Sequence, residues 1–112
     1  MSPRIIFDNE LKLLRENVAQ MARKVEESYD ELFKALAEQD ENKIMELKKN
    51  DKAVSKRQRE IESQCLFLIT KQQPIVGDLR VVTASLKVVT DIERVGDHVS
   101  DMAELFLRLD MQ

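Results

Sequence analysis

The chain has 112 residues, 35% of them charged, with two Gly, two Pro and no Trp. This length allows one domain with a real core, and the scarcity of Gly and Pro favours long uninterrupted helices. A net charge of -3 argues against a nucleic-acid-binding protein, which normally presents a basic face. No apolar run approaches the roughly 18 to 20 residues of a membrane span, and the N-terminus lacks a signal-peptide pattern. We therefore expect a cytoplasmic protein that is at most peripheral to a membrane.

An apolar stripe with alternating steps of three and four residues predicts the first long helix, over residues 5–38. The stripe consists of Leu11, Leu14, Val18, Met21, Val25, Ser28, Leu32 and Ala35. This spacing places the apolar side chains on one helical face, against which another helix can pack. A polar cluster then interrupts the stripe, and Asp40 is the expected N-cap of the next helix.

A second stripe with the same spacing predicts a helix over residues 41–71. Its members are Ile44, Leu47, Asp51, Val54, Gln58, Ile61, Cys65 and Leu68. Two of these positions, Asp51 and Gln58, are polar. Pro74 disfavours helix at Gln73 and suits the first turn of a new helix, so we expect the chain to reverse there.

The third helix, predicted over residues 75–110, carries two stripes. The first consists of Leu79, Val82, Leu86, Val89, Glu93, Gly96, Ser100, Ala103 and Leu107. The second consists of Val81, Val88, Ile92, Val95, Val99, Met102, Phe106 and Leu109. A helix that is apolar on two sides predicts the central, most buried element. Short connections join antiparallel neighbours, so the sequence predicts an all-α, up-down-up antiparallel three-helix bundle as a single domain over residues 1–112.

Three carboxylates fall at one height of this bundle. Glu93 and Asp97 are four residues apart and therefore neighbours on one helical face. Folding the second helix back on the third about Gln73 brings Asp51 opposite the gap between them. Like charges in a partly apolar seam repel one another and lose hydration, so protonation, pairing with a base such as Arg94, or a bound cation must relieve them.

A metal site formed by Asp51, Glu93 and Asp97 is one interpretation of this pattern. Oxygen ligands favour Mg²⁺, Ca²⁺ or Mn²⁺, while iron and zinc also accept carboxylates. The alternative is a set of solvated or salt-bridged carboxylates, because acids four residues apart are common on charged helices. His98 has no nearby His or Cys partner for a nucleophilic relay, so we do not expect an enzyme. Asp78 has two equal interpretations, as a capping residue or as part of a site.

Three ordered motifs resemble the PhoU family of phosphate-signalling regulators. They are Gln72, Gln73 and Pro74, then Asp78, Leu79 and Arg80, then Glu93, Arg94, Val95, Gly96 and Asp97. The resemblance covers almost the whole chain and implies a domain of three long helices that typically occurs twice in a member. It also implies carboxylate motifs that bind iron, zinc or other metals. Glu93 and Asp97 match such a motif, whereas Asp51 is followed by Ser55 where an Asp is usual.

The function that the resemblance implies is regulatory. It predicts a negative regulator of the phosphate-starvation response, acting as a metal-binding adaptor between a phosphate ABC transporter and a sensor histidine kinase. The single repeat implies a homo-oligomer or one half of a two-repeat chain. The alternative is a structural or oligomerisation bundle without a ligand, and a metallo-enzyme is the least favoured interpretation.

Overall fold

The computed structural model describes residues 2–70 and 75–110, which form four helices and no strand. The helices are α1 (Pro3–Glu38), α2 (Glu41–Lys48), α3 (Asp51–Thr70) and α4 (Val76–Asp110). They form a rod of 61 × 18 × 17 Å, so the predicted all-α bundle is confirmed. None of the described helices contains a stretch that is long and apolar enough to cross a membrane. The reversal predicted at Gln72, Gln73 and Pro74 lies outside the described residues.

The direction of the helices follows the up-down-up order. Arg4 near the start of α1 contacts Asp78 near the start of α4, and Tyr29 further along α1 contacts Val95 further along α4. These two helices are therefore parallel. Helices α2 and α3 together run in the opposite direction and pack against both. α4 contacts all three other helices, but so does α1, so the two share the central position that the sequence predicted for α4 alone.

The prediction of one continuous second helix over residues 41–71 is wrong, because a turn at Lys49 and Asn50 divides this segment into α2 and α3. The Lys49 N–H donates to the Glu46 carbonyl at 3.2 Å, and the Asn50 N–H donates to the Leu47 carbonyl at 3.1 Å. These bonds reach back three residues and tighten the last turn of α2. Asn favours helix ends because its short side chain competes for backbone groups, so the break falls at the residue least suited to a helix interior.

Side chains and backbone groups cap both ends of α1 and the start of α2, where helical amides and carbonyls lack partners within the helix. The Ser2 hydroxyl accepts a hydrogen bond from the Ile5 N–H at 3.3 Å. Gln39 takes a left-handed conformation with φ of 54°, which ends α1. Asp40 then accepts from the Lys43 N–H at 3.1 Å, and this bond confirms the predicted N-cap of the following helix.

Two clusters of buried side chains form the core along the rod. The first consists of Phe7, Leu11, Leu14, Met21, Ile61, Cys65, Leu68, Val82 and Val89. The second consists of Leu32, Ala35, Ile44, Leu47, Val99 and Ala103. Both clusters draw on the predicted stripes of all three long segments, so the periodicity identified the faces that pack together.

The second stripe of α4 is covered much less than expected. Val99 is 2% exposed, but Val88 and Val95 are each 44% exposed. The expectation that α4 is buried on both apolar sides is therefore correct on one side only. Half of its second stripe is exposed, and two of the exposed residues, Val88 and Val95, lie beside α1.

Candidate functional site

Asp51, Ser55, Glu93 and Asp97 form the candidate site, which we call the acidic seam. Asp51 is the first residue of α3, where the break after α2 places it. An acid in a first turn interacts favourably with the helix dipole, so this position also has a purely structural rationale. Ser55 follows one turn later, and Glu93 and Asp97 lie one turn apart on α4. All four side chains are partly buried.

Two hydroxyl groups fix the register of this region against α4. The Ser55 hydroxyl donates to Glu93 Oε1 at 3.3 Å. On the other side of the break, the Ser100 hydroxyl donates to the Lys48 carbonyl at 2.6 Å. That carbonyl belongs to the last turn of α2 and has no partner within its own helix. The two bonds hold the segment from Lys48 to Ser55 beside residues 93–100, and they show that this segment, which includes the start of α3, runs antiparallel to α4.

The carboxylates of the acidic seam interact unfavourably. Partial burial raises the pKa of Asp97, and the nearby charges of Glu93, Asp51 and Asp101 raise it further, while His98 opposes the shift. The three carboxylates predicted to lie at one height are therefore within electrostatic range of one another. Glu93 lies on a core stripe, where a carboxylate without a hydrogen-bond donor would be unfavourable. The Ser55 hydroxyl donates to it and reduces this cost.

The acidic seam has the donor chemistry of a hard-cation site but is not assembled as one. Carboxylate and hydroxyl oxygens suit Mg²⁺ or Mn²⁺, and iron and zinc also accept carboxylates. Across residues 2–70 and 75–110, however, no three His, Cys, Asp or Glu side chains are grouped closely enough to hold a metal ion. As placed, the seam is a cluster of repelling acids that would gain from a proton, a basic group or a cation.

Gly96 sets how closely the helices approach at the acidic seam. A Cβ atom at this position would lie 3.2 Å from Val54 Cγ1 on α3 and 3.3 Å from Val25 Cγ2 on α1. The missing side chain therefore lets three helices meet one residue before Asp97. This contact assigns Gly96 to the packing between helices rather than to a ligand.

The sequence left two roles open for Asp78, a capping residue or part of a site, and the structure shows the capping role. Its carboxylate accepts from the Ile75 N–H at 3.1 Å, just before the first turn of α4. It also accepts from both terminal nitrogens of Arg4, at 2.6 and 2.9 Å. These bonds hold the pKa of Asp78 below its usual range. Sequence reasoning missed Arg4, because a partner 74 residues away leaves no local signal.

Comparison with known proteins agrees with this architecture. A family model described as the PhoU domain matches residues 18–106. Three relatives are phosphate-specific transport system accessory protein PhoU homologues, from Clostridium acetobutylicum at 39% identity, Synechocystis at 32% and Aquifex aeolicus at 36%. The alignments cover 95%, 95% and 85% of this chain, and 49%, 47% and 43% of the respective relatives. The chain thus spans about half the length of the curated relatives it matches. With its helical architecture and its ordered motifs, the chain belongs to the PhoU family.

Proposed function

We propose that the protein is a non-enzymatic, cytoplasmic regulator of phosphate uptake and phosphate-starvation signalling. The observation that carries this proposal is family membership, since the relatives from Clostridium acetobutylicum and Synechocystis are accessory proteins of a phosphate-specific transport system. In this role the bundle is an adaptor that contacts a phosphate ABC transporter and a sensor histidine kinase. A rod 61 Å long supports the role, because it offers extended helical faces to its partners.

Uptake of labelled phosphate in a bacterium that lacks its own PhoU homologue tests the regulatory role. Expression of the protein should lower the uptake rate under phosphate-replete conditions towards that of the parent strain. Immunoblotting confirms that the protein accumulates. An unchanged uptake rate at full protein level would contradict the proposed function.

The proposal includes a cation at the acidic seam, either iron or zinc, or else magnesium or manganese. The raised pKa of Asp97 supports it, because a group whose ionised form is disfavoured gains most from a neighbouring positive charge. Glu93, Asp97 and Asp51 would provide the oxygen ligands after rotation of their side chains towards a common point. A bound cation would neutralise the repulsion and hold α3 against α4.

Metal analysis of protein purified without chelator, together with thermal melts in the presence and absence of EDTA, tests this cation. We expect bound metal and an EDTA-dependent fall in melting temperature for the wild type, with both lost in the Glu93→Gln, Asp97→Asn double variant. The matched control is the Glu16→Gln, Glu38→Gln variant, which removes the same charge from exposed positions outside the seam. Absence of metal and of any EDTA effect would remove the cation from the proposal and leave the adaptor role intact.

Substitution of Ser55 provides a test in the opposite direction. Ser55→Asp places the carboxylate that is usual in the family beside Glu93, where the Ser55 hydroxyl now donates a hydrogen bond. The variant should bind the cation more tightly and should be less stable than the wild type when metal is absent, because a fourth negative charge joins the seam. Equal stability with and without metal would speak against a cation at this position.

A ligand-free structural bundle is the second candidate, and the lack of an assembled three-ligand group in the described residues favours it. It predicts that Glu93→Ala with Asp97→Ala leaves partner binding unchanged and stabilises the fold by relieving repulsion.

We also propose that the unit works in a pair, with a second copy or with a second repeat. The 49% coverage of the Clostridium acetobutylicum relative supports this pairing, and sedimentation of the intact protein measures it.

A further inference from the structure

The parallel helices α1 and α4 leave an open groove between them, on the side where the second stripe of α4 is exposed. Two adjoining cavities of about 500 and 370 Å³ form this groove, and Val88 lines both of them. On α4 the lining runs from Val81 to Val95, a distance of roughly 21 Å at 1.5 Å per residue. We call it the α1–α4 groove. Its length equals about four turns of a helix.

The floor of the α1–α4 groove is apolar and shallow. Val88 and Val95 are each 44% exposed, which is unusual for a stripe that continues into the core at Val99. Ala22 and Ala84 also line the floor and are exposed, so short side chains let another backbone come close. Single exposed apolar residues need no explanation, but here several follow one another along a groove, a shape that the apolar face of a helix can fill.

The rim of the α1–α4 groove is acidic at one end. Glu26 and Asp30 on α1 and Asp91 on α4 line this end. None of the three forms an ion pair with any residue in the described part of the chain. Arg15 lines the opposite end. The groove therefore combines an apolar floor with three carboxylates that have no ion-pair partner among the described residues, at the end nearest Val95.

We propose that the α1–α4 groove binds a basic amphipathic helix of a partner protein. Apolar side chains at every third and fourth position of that helix fill the floor between Val81 and Val95, and its Lys or Arg residues face Glu26, Asp30 and Asp91. The acidic end also favours the positive N-terminal pole of the bound helix. The inference deepens the proposed adaptor function and rests on it, since it assigns one of the adaptor's partner surfaces and the chemistry that this surface selects.

Binding of two synthetic helical peptides of 18 residues tests the charge complementarity. Both carry the same leucine stripe, and one carries lysines on its flanks where the other carries glutamates. Fluorescence anisotropy measures their affinity for the wild type, for a rim variant and for a control variant. The rim variant is Glu26→Gln, Asp30→Asn, Asp91→Asn; the control is Glu16→Gln, Glu38→Gln, Glu41→Gln, which changes the net charge equally at exposed positions outside the groove.

We expect the lysine peptide to bind the wild type and the control equally, and the rim variant about tenfold more weakly at low salt, the combined effect of three partly exposed charge pairs. The glutamate peptide should bind all three proteins weakly. Equal loss of affinity in the rim and control variants would overturn the proposal, because net charge alone would then explain the binding. Retention of full affinity in the rim variant would also overturn it.

A substitution in the floor separates a partner helix from a second copy of this chain. Val88→Gln makes the floor polar at a half-exposed position, so the fold should persist, as far-UV circular dichroism can verify. The variant should bind the lysine peptide more weakly without any change in sedimentation mass. A wild-type oligomer that dissociates on this substitution would assign the groove to contacts between copies and overturn the proposal.

Phosphate uptake in cells distinguishes the failure of this inference from the failure of the proposed function. A protein that restrains uptake but does not bind the lysine peptide would retain its function and lose this docking site. A protein that binds the peptide in a rim-dependent manner but has no effect on uptake would retain the docking site and lose the phosphate-related role.

Discussion

Substitution of Gly96 by alanine measures how tightly the three helices meet at the acidic seam. In the interior of α4, alanine should gain up to about 1 kcal/mol of helix propensity over glycine. The new Cβ atom would lie 3.2 Å from Val54 Cγ1 and 3.3 Å from Val25 Cγ2, a few tenths of an ångström inside ordinary contact. Both neighbours are β-branched and stiff about χ1, so the helices must separate, at a cost of roughly 1 to 3 kcal/mol. The expected net result is a loss of about 1 kcal/mol in the free energy of unfolding.

Gly77→Ala provides the matched control, because nothing lies within 4 Å of a Cβ atom built at Gly77. That variant should be stabilised by about 0.5 kcal/mol through the restriction of the unfolded chain. Urea unfolding followed by circular dichroism gives both values, and thermal melts should show a fall of about 4 °C for Gly96→Ala. If Gly96→Ala were as stable as Gly77→Ala, the helices around Gly96 would have room for a methyl group, and the packing argument for Gly96 would be refuted.

Three further predictions concern the charges and the core. With EDTA present, Asp97→Asn should stabilise the protein at pH 7 by about 0.5 kcal/mol, because it removes a carboxylate whose ionised form is disfavoured. Since the raised pKa makes the folded wild type bind a proton more readily, the metal-free wild type should gain stability as the pH falls through that pKa. A variant that still shows this gain would contradict the assignment to Asp97. Because the pKa of Asp78 is lowered in the folded state, its contribution to stability is present above the unfolded-state pKa and is lost as the pH falls through the folded-state pKa. Arg4→Gln should therefore reduce stability at pH 7 and make stability less sensitive to acid. Urea unfolding at several pH values measures both effects. Leu32→Ala should cost about 2 to 5 kcal/mol, because Leu32 is fully buried in the second core cluster, and a cost below about 1 kcal/mol would show that the cluster collapses around the lost side chain.

The periodicity of the sequence was sufficient for the long helices and their packed faces. Leu14, Leu32 and Val89 lie on the predicted stripes and are all buried, because a step of three or four residues places side chains on one face whatever the partner is. The break at Asn50 was not predicted. The apolar spacing continues through it, whereas the backbone N–H groups of Lys49 and Asn50 bond to carbonyls three residues back and end α2 there.

The sequence by itself therefore determined the helical class, the core faces and the approximate height at which Asp51, Glu93 and Asp97 meet, because these follow from local geometry and helix length. Only the tertiary structure decided that Arg4 binds Asp78, that Gly96 is a point of close helix contact, and that the second stripe of α4 stays half exposed beside α1. Each of these depends on which side chain a distant segment brings into contact, and no spacing along a single helix encodes that choice.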